Sequence, residues 1–328
     1  MKIGITYDLK SDYLAMGLSE EEAAEFDKIE TIDAIDSALL ELGYETVRIG
    51  HAHALLKRIA AGERWDAVFN ICEGLDGIGR EAQVPAILDL FRIPYVFSDP
   101  LVLSLCLHKG MTKRVIRDLG LATPGFAVIS QESEISEINL PYPLFAKPVA
   151  EGTGKGIGQN SCISNVEELT ASVTEKLHRY NQPVLVETFL PGREFTVGVV
   201  GTADKSHSIG LMECHFRENV ALNAYSYDNK SNYEDFMDYS VPTDDVAEKV
   251  CKLAVDSWKG LGCRDGGRVD IRLDAQGVPN FIEVNPLAGL HPIDSDLVII
   301  AGKYGISYTQ LIGMIMESAM IRIETRNE

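Results

Sequence analysis

The sequence predicts an α/β protein in which an N-terminal domain with a parallel sheet is followed by two α+β domains. Three observations lead to this prediction. The chain has 328 residues, which is too long for one typical hydrophobic core. Its first 98 residues alternate strand-like and helix-like segments, as parallel sheets with crossover helices do. This alternation stops afterwards, and we therefore expect domains at residues 1–98, 99–189 and 190–328.

The N-terminal domain is predicted from short apolar runs that alternate with helical patterns. Strands are expected at residues 2–7, 45–49, 67–71 and 95–98. Helices are expected at residues 23–42, 54–61 and 81–91. The first helix has the clearest pattern, because apolar residues recur at helical spacing from Ile29 to Leu39 and Gly43 follows them. Ligands of such sheets bind at the carboxyl ends of strands, which predicts a site near residues 7–11 and 70–79.

The other two domains are predicted from longer helical patterns between apolar strands. Helices are expected at residues 109–119, 166–179, 244–261 and 308–323. Strands are expected at residues 125–129, 144–148, 159–163, 184–187, 194–200 and 208–214, with a hairpin at 268–285. A polar segment at residues 217–240 has no clear periodicity, and such a long segment is typical of a lid or binding loop.

Composition and charge narrow the classes of function. The net charge of −19 argues against nucleic acid and anionic membrane surfaces as partners, although a local basic pocket can still bind phosphate. The six cysteines form no CxxC pair and no zinc-binding spacing with histidine. The sequence has no signal-like segment and no apolar run of membrane-spanning length. We therefore expect a cytoplasmic protein with reduced thiols.

The most informative pattern is the predicted hairpin that begins at Arg268 and ends at Asn285. Alternation along a strand places Arg268 and Asp270 on one face, and Glu283 and Asn285 share a face on the second strand. If the strands pair directly across the turn, Arg268 lies opposite Glu283 and the polar faces coincide. Carboxylate and amide oxygens suit Mg²⁺, which is normally shared with substrate phosphates. The alternative interpretation is a solvated hairpin face with salt bridges.

A glycine loop at residues 151–158 is the second informative pattern. Its alternating glycines match neither the dinucleotide fingerprint nor the Walker spacing. The loop lies between two predicted strands, so no helix N-terminus follows it to bind a phosphate. This position favours a hairpin flap that closes over phosphates with its backbone N–H groups, assisted by Thr153 and Lys155. The alternative is a flexible hairpin tip without a ligand.

Four charged residues in the middle of the chain suit a nucleotide. Lys109 begins a predicted helix and Lys147 ends a predicted strand, and both are predicted phosphate-binding cations. Glu187 and Glu194 flank a short connection between two strands at residues 189–192. Such a connection can hold an adenine with its backbone groups and a ribose with a carboxylate. Each of these residues, taken alone, is more often ordinary surface.

Taken together and in this order, these residues resemble the ATP-grasp enzymes, and within them the D-alanine–D-alanine ligase family. The resemblance covers nearly the whole chain and is strongest at residues 147–156, 186–196 and 268–297. It implies an ATP-grasp fold whose second and third domains sandwich ATP. It also implies an ATP-dependent ligase that activates one amino acid as an acyl phosphate and joins it to the amine of a second. Whether the protein forms a homodimer is left open.

The resemblance further implies a role for each site residue. The phosphates of ATP would be bound by lysines, namely Lys109, Lys147, Lys155 and Lys230. Its adenosine would be bound by residues of the strand connection, namely Glu187, Phe189, Leu190 and Glu194. Two Mg²⁺ ions, which Mn²⁺ can replace, would be bound by Asp270, Glu283 and Asn285. Arg268 would stabilise the tetrahedral intermediate, Thr153 would act from the flap, and Glu30 would hold the ammonium of the first amino acid. The other substrate contacts would come from Ser231, Gly289 and Ser295.

The chain departs from the family pattern on the amino-acid side. An acidic insertion at residues 19–25 follows the first strand, Ser231 replaces a tyrosine, and residues 286–294 differ from the usual loop. These departures predict a second substrate that is larger or more polar than D-alanine, although a D-alanine–D-alanine ligase of peptidoglycan biosynthesis remains the leading family activity. The alternatives are a ligase for other amino or hydroxy acids in a secondary pathway, and a non-catalytic ATP-binding regulatory protein. The presence of Arg268 argues against the latter, since ATP binding alone does not need it.

Overall fold

The structure, a computed structural model, describes residues 1–216 and 237–327. Within these residues the strands form three sheets, and each sheet is built from one stretch of the chain. The three stretches are residues 2–71, 126–188 and 194–285. The predicted domain boundaries after residues 98 and 189 fall between these stretches and stay predictions.

The first sheet is parallel and covered on both faces. Its strands are β1 (Lys2–Tyr7), β2 (Glu45–Arg48) and β3 (Ala67–Ile71), in the order β2-β1-β3. The helices of this region are α1 (Lys10–Ala15), α2 (Ile29–Glu41), α3 (Ala52–Ala60) and α4 (Gln83–Leu90), with a 3₁₀ helix at Arg80–Ala82. All five residues of β3 are buried, which is typical of a parallel strand between two layers.

Two predictions for this region are wrong. The helix predicted from residue 23 begins only at Ile29. The backbone of Asp27 is held by the chain before it, because its N–H donates to Asp8 at 3.1 Å and its carbonyl accepts from Lys10 at 2.8 Å. The strand predicted at residues 95–98 is reduced to a single parallel bridge between Tyr95 and Val68.

The second sheet is antiparallel and carries the glycine loop. Its strands are β4 (Phe126–Ile129), β5 (Leu144–Pro148), β6 (Cys162–Ile163) and β7 (Val184–Thr188), in the order β4-β7-β5-β6. The helices of this region are α5 (Pro100–Leu107), α6 (Lys109–Asp118) and α7 (Val166–Tyr180), with a 3₁₀ helix at Glu132–Glu137. The sequence analysis missed α5, although Asp99 caps it by accepting from the N–H of Val102 at 3.0 Å and Pro100 occupies its first position.

The third sheet is also antiparallel and contains the predicted hairpin. Its strands are β8 (Glu194–Val200), β9 (His207–Phe216), β10 (Met237–Ser240), β11 (Gly266–Leu273) and β12 (Pro279–Asn285), in the order β10-β9-β8-β11-β12. The helices are α8 (Val246–Leu261), α9 (Asp296–Lys303) and α10 (Tyr308–Asn327), with a 3₁₀ helix at Ala203–Lys205. The last helix packs against α2, and one apolar core therefore joins the first sheet to the C-terminal region.

The predicted register of the β11–β12 hairpin is wrong by two residues at the site, because Leu273 pairs with Pro279 and not with residue 278, and a bulge adds a second residue of shift. A bulge between Asp270 and Ile271 shifts the pairing, so that Asp270 lies opposite Glu283 and Arg268 lies opposite Asn285. The prediction assumed regular pairing across the turn, and a single extra residue changes every partner beyond it. The shift brings the two carboxylates directly together.

None of the helices described is both long and apolar enough to cross a membrane.

Candidate functional site

Two adjoining cavities lie between the three sheets. The larger one has a volume of about 270 Å³ and reaches from the first sheet to the end of the β11–β12 hairpin. The smaller one has a volume of about 90 Å³ and lies between the second sheet and the same hairpin. Thr153, Arg268 and Glu283 line both cavities, so the two meet at these side chains. We call them the amino-acid cavity and the nucleotide cavity, respectively, in line with the roles implied by the sequence.

A third cavity of about 1100 Å³ lies elsewhere, beside the C-terminal helix α10. None of the predicted site residues within the described part of the chain lines it. Although this cavity is larger, it is therefore not the place where the predicted site residues meet.

Lys147 is the central cation of the nucleotide cavity. Its Nζ lies 3.0 Å from Glu283 Oε2 and 3.7 Å from Glu187 Oε1, and the lysine is almost fully buried at the end of β5. Burial opposes the charged form, but Glu283 and Glu187 raise the pKa of Lys147 above its ordinary value. Lys109 lies nearby, with its Nζ 3.9 Å from Glu283 Oε2 and donating to the carbonyl of Glu151 at 2.6 Å. The structure thus brings both predicted phosphate-binding lysines to one place.

Lys113 is a site residue that the sequence analysis missed. It is fully buried, and its Nζ lies 2.8 Å from Glu187 Oε2. Burial raises the pKa of a carboxyl group, but Lys113 and Lys147 hold the pKa of Glu187 below its usual range. The available signal was the spacing of Lys113 four residues after Lys109, which places both on one face of α6.

Arg268, which lines both cavities, forms an ion pair with Asp270, which lines the nucleotide cavity. The Nη1 of Arg268 donates to Asp270 Oδ2, and its Nε lies 3.6 Å from Asp296 Oδ2. The other oxygen of Asp270 accepts from the hydroxyl of Thr196 at 2.9 Å. Burial raises the pKa of Asp270, while Arg268 opposes that rise. Since each partner lies on a sheet or at a helix start, the guanidinium is held rigidly.

The residues at the hairpin end fit a magnesium ion by their chemistry. Asp270 and Glu283 face each other on neighbouring strands, and Asn285 follows two residues after Glu283. Burial opposes ionisation of Glu283, but Lys147 and Lys109 hold its pKa far below the usual range, so this carboxylate is charged. The Oδ1 of Asn285 accepts from the N–H of Leu287 at 3.1 Å, which orients the amide. Two carboxylates and an amide oxygen form the hard oxygen donor set that Mg²⁺ prefers.

The glycine flap places Thr153 between the cavities but turns Lys155 away. Thr153 has a φ of 50°, which is rare for a β-branched residue, and its buried hydroxyl has no hydrogen-bond partner among the described residues. Lys155 Nζ lies 2.6 Å from Glu151 and 3.2 Å from Glu25, and Lys155 lines neither cavity. The expectation that Lys155 contacts phosphate is therefore at odds with its position, because two carboxylates hold its ammonium outside.

The far end of the nucleotide cavity is formed by the connection between β7 and β8. Phe189 and Leu190 line it, as expected for an adenine pocket. The carboxylate of Glu194 also lines it and is paired with Arg272 at 2.9 Å. The guanidinium of Arg272, which the sequence analysis missed, lies over the ring of Phe189 at 5.0 Å.

The structure brings Glu25, and not Glu30, to the amino-acid cavity. Glu30 is exposed on the first turn of α2 and does not line the cavity. Glu25 lines it, accepts from the N–H of Gly152 at 2.7 Å and pairs with Arg80 at 2.7 Å. Burial opposes its ionisation, but Arg80 and Lys155 lower its pKa to about 2. Glu30 was predicted from the family resemblance as a residue just inside this helix, but the helix begins at Ile29 and leaves Glu30 exposed.

Gly289 and Ser295 line the opposite side of the amino-acid cavity, as predicted. The Oγ of Ser295 accepts from the N–H of His291 at 2.8 Å, which fixes this loop just before α9. Lys230 and Ser231, predicted to contact phosphate and substrate, lie outside the described residues.

Comparisons with known proteins identify the family of this chain. Residues 115–317 match the model of the D-ala D-ala ligase C-terminus family. The chain is 32% identical over 298 residues to the D-alanine–D-alanine ligase of Bordetella petrii, covering 89% of this chain and 87% of that protein. It is 30% identical over 298 residues to the ligase of the same name from Thermotoga petrophila, covering 90% and 93% of the two chains.

Solved structures show the same fold at lower sequence identity. The D-alanine–D-alanine ligase of Bacillus anthracis, solved as a complex with ATP, has a TM-score of 0.73 and 22% identity, with 99% of both chains covered. The VanG D-Ala:D-Ser ligase of Enterococcus faecalis has a TM-score of 0.75 and 20% identity, with 97% of this chain and 99% of that chain covered. The predicted ATP-grasp fold is thereby confirmed. The chain belongs to the D-alanine–D-alanine ligase family and is an ATP-dependent ligase.

Proposed function

We propose that this protein joins two amino acids through an acyl phosphate made from ATP, with Mg²⁺ as its metal ion. The observation that carries the proposal is the meeting of the two cavities at Thr153, Arg268 and Glu283. A carboxylate in the amino-acid cavity can there reach a terminal phosphate in the nucleotide cavity. Such proximity is the main requirement for phosphoryl transfer, which depends on positioning and charge stabilisation.

The lysines and carboxylates of the nucleotide cavity would bind MgATP by exchanging partners. Asp270, Glu283 and Asn285 would hold the metal, which supplies charge neutralisation for the transferring phosphoryl group. With Glu283 directed to the metal ion, Lys147 would be free to bind phosphate oxygens. Lys109 lies close enough to do the same. In the protein without nucleotide, the lysines and carboxylates of this cavity thus neutralise one another.

Arg268 would stabilise the oxyanion that forms when the amine attacks the activated carbonyl. Its two carboxylate partners, Asp270 and Asp296, leave it little freedom, so it needs no reorganisation during the reaction. The unpartnered hydroxyl of Thr153 is available to donate to a phosphate oxygen when the flap is closed.

Glu25 would take the role first assigned to Glu30 and hold the ammonium of one amino acid. Ser295 and Gly289 would contact the other substrate from the loop before α9. The relatives named above suggest D-alanine as one substrate and peptidoglycan precursors as the product class, while the altered loop at residues 286–294 favours a different second substrate. The proposal includes the division into three domains. It also includes a second Mg²⁺ ion, which Mn²⁺ can replace, and a homodimer.

The test measures phosphate release from ATP and Mg²⁺ with D- and L-amino acids, singly and in pairs, with mass spectrometry of the products. A ligase releases phosphate in proportion to the dipeptide formed. If no amino acid or pair stimulates release while the protein still binds ATP, the non-catalytic regulatory alternative replaces this proposal.

A further inference from the structure

The wall of the amino-acid cavity on the side of the first sheet is unusually acidic. Glu73 follows β3 in the chain, Glu81 lies in the 3₁₀ helix before α4, and Asp27 precedes α2. All three residues line the cavity. We call Glu73, Glu81 and Asp27 the acidic wall.

Most other carboxylates of this cavity already have a basic partner. The pairs are Glu25 with Arg80 at 2.7 Å, Glu151 with Lys155 at 2.6 Å, Glu283 with Lys147 at 3.0 Å, Asp294 with His291 at 3.3 Å and Asp296 with Arg268 at 3.6 Å. The carboxylates of Glu73 and Glu81 differ, since neither has a hydrogen bond or an ion pair within 4.0 Å to any described residue. Glu81 is only 8% exposed, and what remains exposed lines the cavity.

It is unfavourable to bury two neighbouring carboxylates without a cation, and the raised pKa values of the wall residues reflect this. Burial and repulsion by Glu81 raise the pKa of Glu73 well above its usual value. Burial raises the pKa of Glu81 to about 7, even though Arg80 attracts its charged form. Burial likewise raises the pKa of Asp27 to about 7. A cation placed against the wall would replace these protons and remove the repulsion.

Thr31 provides an independent indication of a ligand beside the wall. It is 1% exposed and lines the same cavity; its hydroxyl interacts with the carboxylate of Asp27, but it has no hydrogen bond within 3.5 Å to a described residue. Buried hydroxyl groups are normally hydrogen-bonded, so this oxygen lacks an expected partner. A cationic N–H group between Thr31 and the acidic wall would satisfy both.

We propose that one amino-acid substrate carries a second cationic group, an ammonium or guanidinium on its side chain, that binds to Glu73 and Glu81. The α-ammonium alone does not account for the wall, since one ammonium can neutralise only one of its carboxylates. D-Alanine has only that one cationic group and leaves the wall unpaired. The substrate class is therefore a diamino or other basic amino acid, and this inference rests on the ligase function proposed above.

The test compares basic amino acids with neutral ones of the same shape. Phosphate release from ATP is measured with ornithine against norvaline, lysine against norleucine and arginine against citrulline, as both D- and L-isomers, singly and with D-alanine as the partner. We expect kcat/KM to be at least about 10-fold higher for the basic member of a pair, since an unpaired buried charge discriminates strongly. Equal or lower values for all basic members overturn the inference.

Substitutions then assign the preference to the wall. Glu73→Gln and Glu81→Gln should each lower kcat/KM for the basic substrate about 10-fold or more and leave the neutral one unchanged or improved. Glu167→Gln, which removes an exposed carboxylate on α7, is the matched control. A basic preference that survives both wall substitutions overturns the assignment. If a variant does not fold, the comparison in the unmodified protein still decides. Failure of every amino acid would instead overturn the ligase proposal.

Discussion

The nucleotide cavity and the amino-acid cavity differ in how their charges are paired. All four carboxylates that line the nucleotide cavity lie beside a basic side chain, in the pairs Glu187–Lys113, Glu194–Arg272, Asp270–Arg268 and Glu283–Lys147. In the amino-acid cavity, Glu73 and Glu81 have no such partner among the described residues. The first cavity is thus prepared to accept a polyanion with its metal ion by exchanging partners. The second keeps two carboxyl groups with raised pKa values and no basic partner among the described residues, which is a basis for selecting a cationic substrate.

The largest effect is expected at Glu283, whose charge is paired with Lys147 in the nucleotide cavity. Glu283→Gln should lower turnover about 1000-fold or more, because it removes one charge from the proposed metal site and the partner of Lys147. Asp270→Asn should behave similarly. The measurement is kcat as a function of Mg²⁺ concentration, together with thermal unfolding to show that the fold is retained. Near-normal activity of both variants at low Mg²⁺ would show that the metal assignment is wrong.

The next largest effect is expected at Arg268, which lies where the two cavities meet. Arg268→Lys should keep ATP affinity but lose about 100-fold in peptide-bond formation, since lysine cannot reproduce the forked contact to Asp270 and a developing oxyanion. The measurement is ATP binding alongside dipeptide formation. Arg92→Lys, at an exposed arginine, is the control. Weakened ATP binding with unchanged turnover would make Arg268 a nucleotide contact instead.

The unpaired charge of the amino-acid cavity should also be visible as a pH dependence of stability. The pKa of Glu81 is raised from 4.5 to about 7, so the folded protein binds this proton more tightly than the unfolded chain does. Its contribution to the free energy of unfolding therefore falls as the pH rises from 4.5 to 7. Glu81→Gln should remove this loss and be more stable than the unmodified protein at pH 8 by about 2 kcal/mol, but not at pH 4.

Urea unfolding without ligand, at pH 4 and pH 8, measures this difference. Glu167→Gln should show no change between the two values. A Glu81→Gln variant that is no more stable than the unmodified protein at pH 8 would mean that Glu81 already has a compensating partner.

The smallest expected effect concerns the flap. Thr153→Ala removes the unpartnered hydroxyl and should lower kcat/KM for ATP about 10-fold, the value of one hydrogen bond to a charged group. Thr153→Ser keeps the hydroxyl and should stay close to the unmodified protein. Equal losses in both variants would point to the backbone of the flap, which has positive φ at Thr153, rather than to the hydroxyl.

The nucleotide side of the molecule could be predicted from the sequence because its residues lie on regular strands. Lys147, Asp270 and Glu283 each occupy a strand position whose facing direction follows from alternation alone. The partners Lys113 and Arg272 were missed, since pairing across elements depends on packing that no local pattern records. The β11–β12 register was wrong because the turn is one residue longer than assumed, so that Leu273 pairs with Pro279, and because a bulge leaves no clear sequence signal.

The amino-acid side was harder to predict because its residues lie on loops. The acidic insertion continues the helical pattern of α2 in sequence, yet the backbone of Asp27 is hydrogen-bonded to residues 8 and 10. With residues 25–27 thereby held outside α2, Glu25 and not Glu30 lines the cavity. Glu73 and Glu81 lie eight residues apart on a loop and a 3₁₀ helix, and only the fold places them together.

The hydrogen bond from the N–H of Gly152 to Glu25 makes opening of the flap measurable by hydrogen exchange. This amide proton is held by a carboxylate that Arg80 anchors to the N-terminal region. It can exchange with solvent deuterium only when flap and carboxylate separate. The exchange rate of this one amide therefore measures how often the flap opens in the unliganded enzyme. Slower exchange in the presence of one substrate or the other would reveal the order in which the substrates bind.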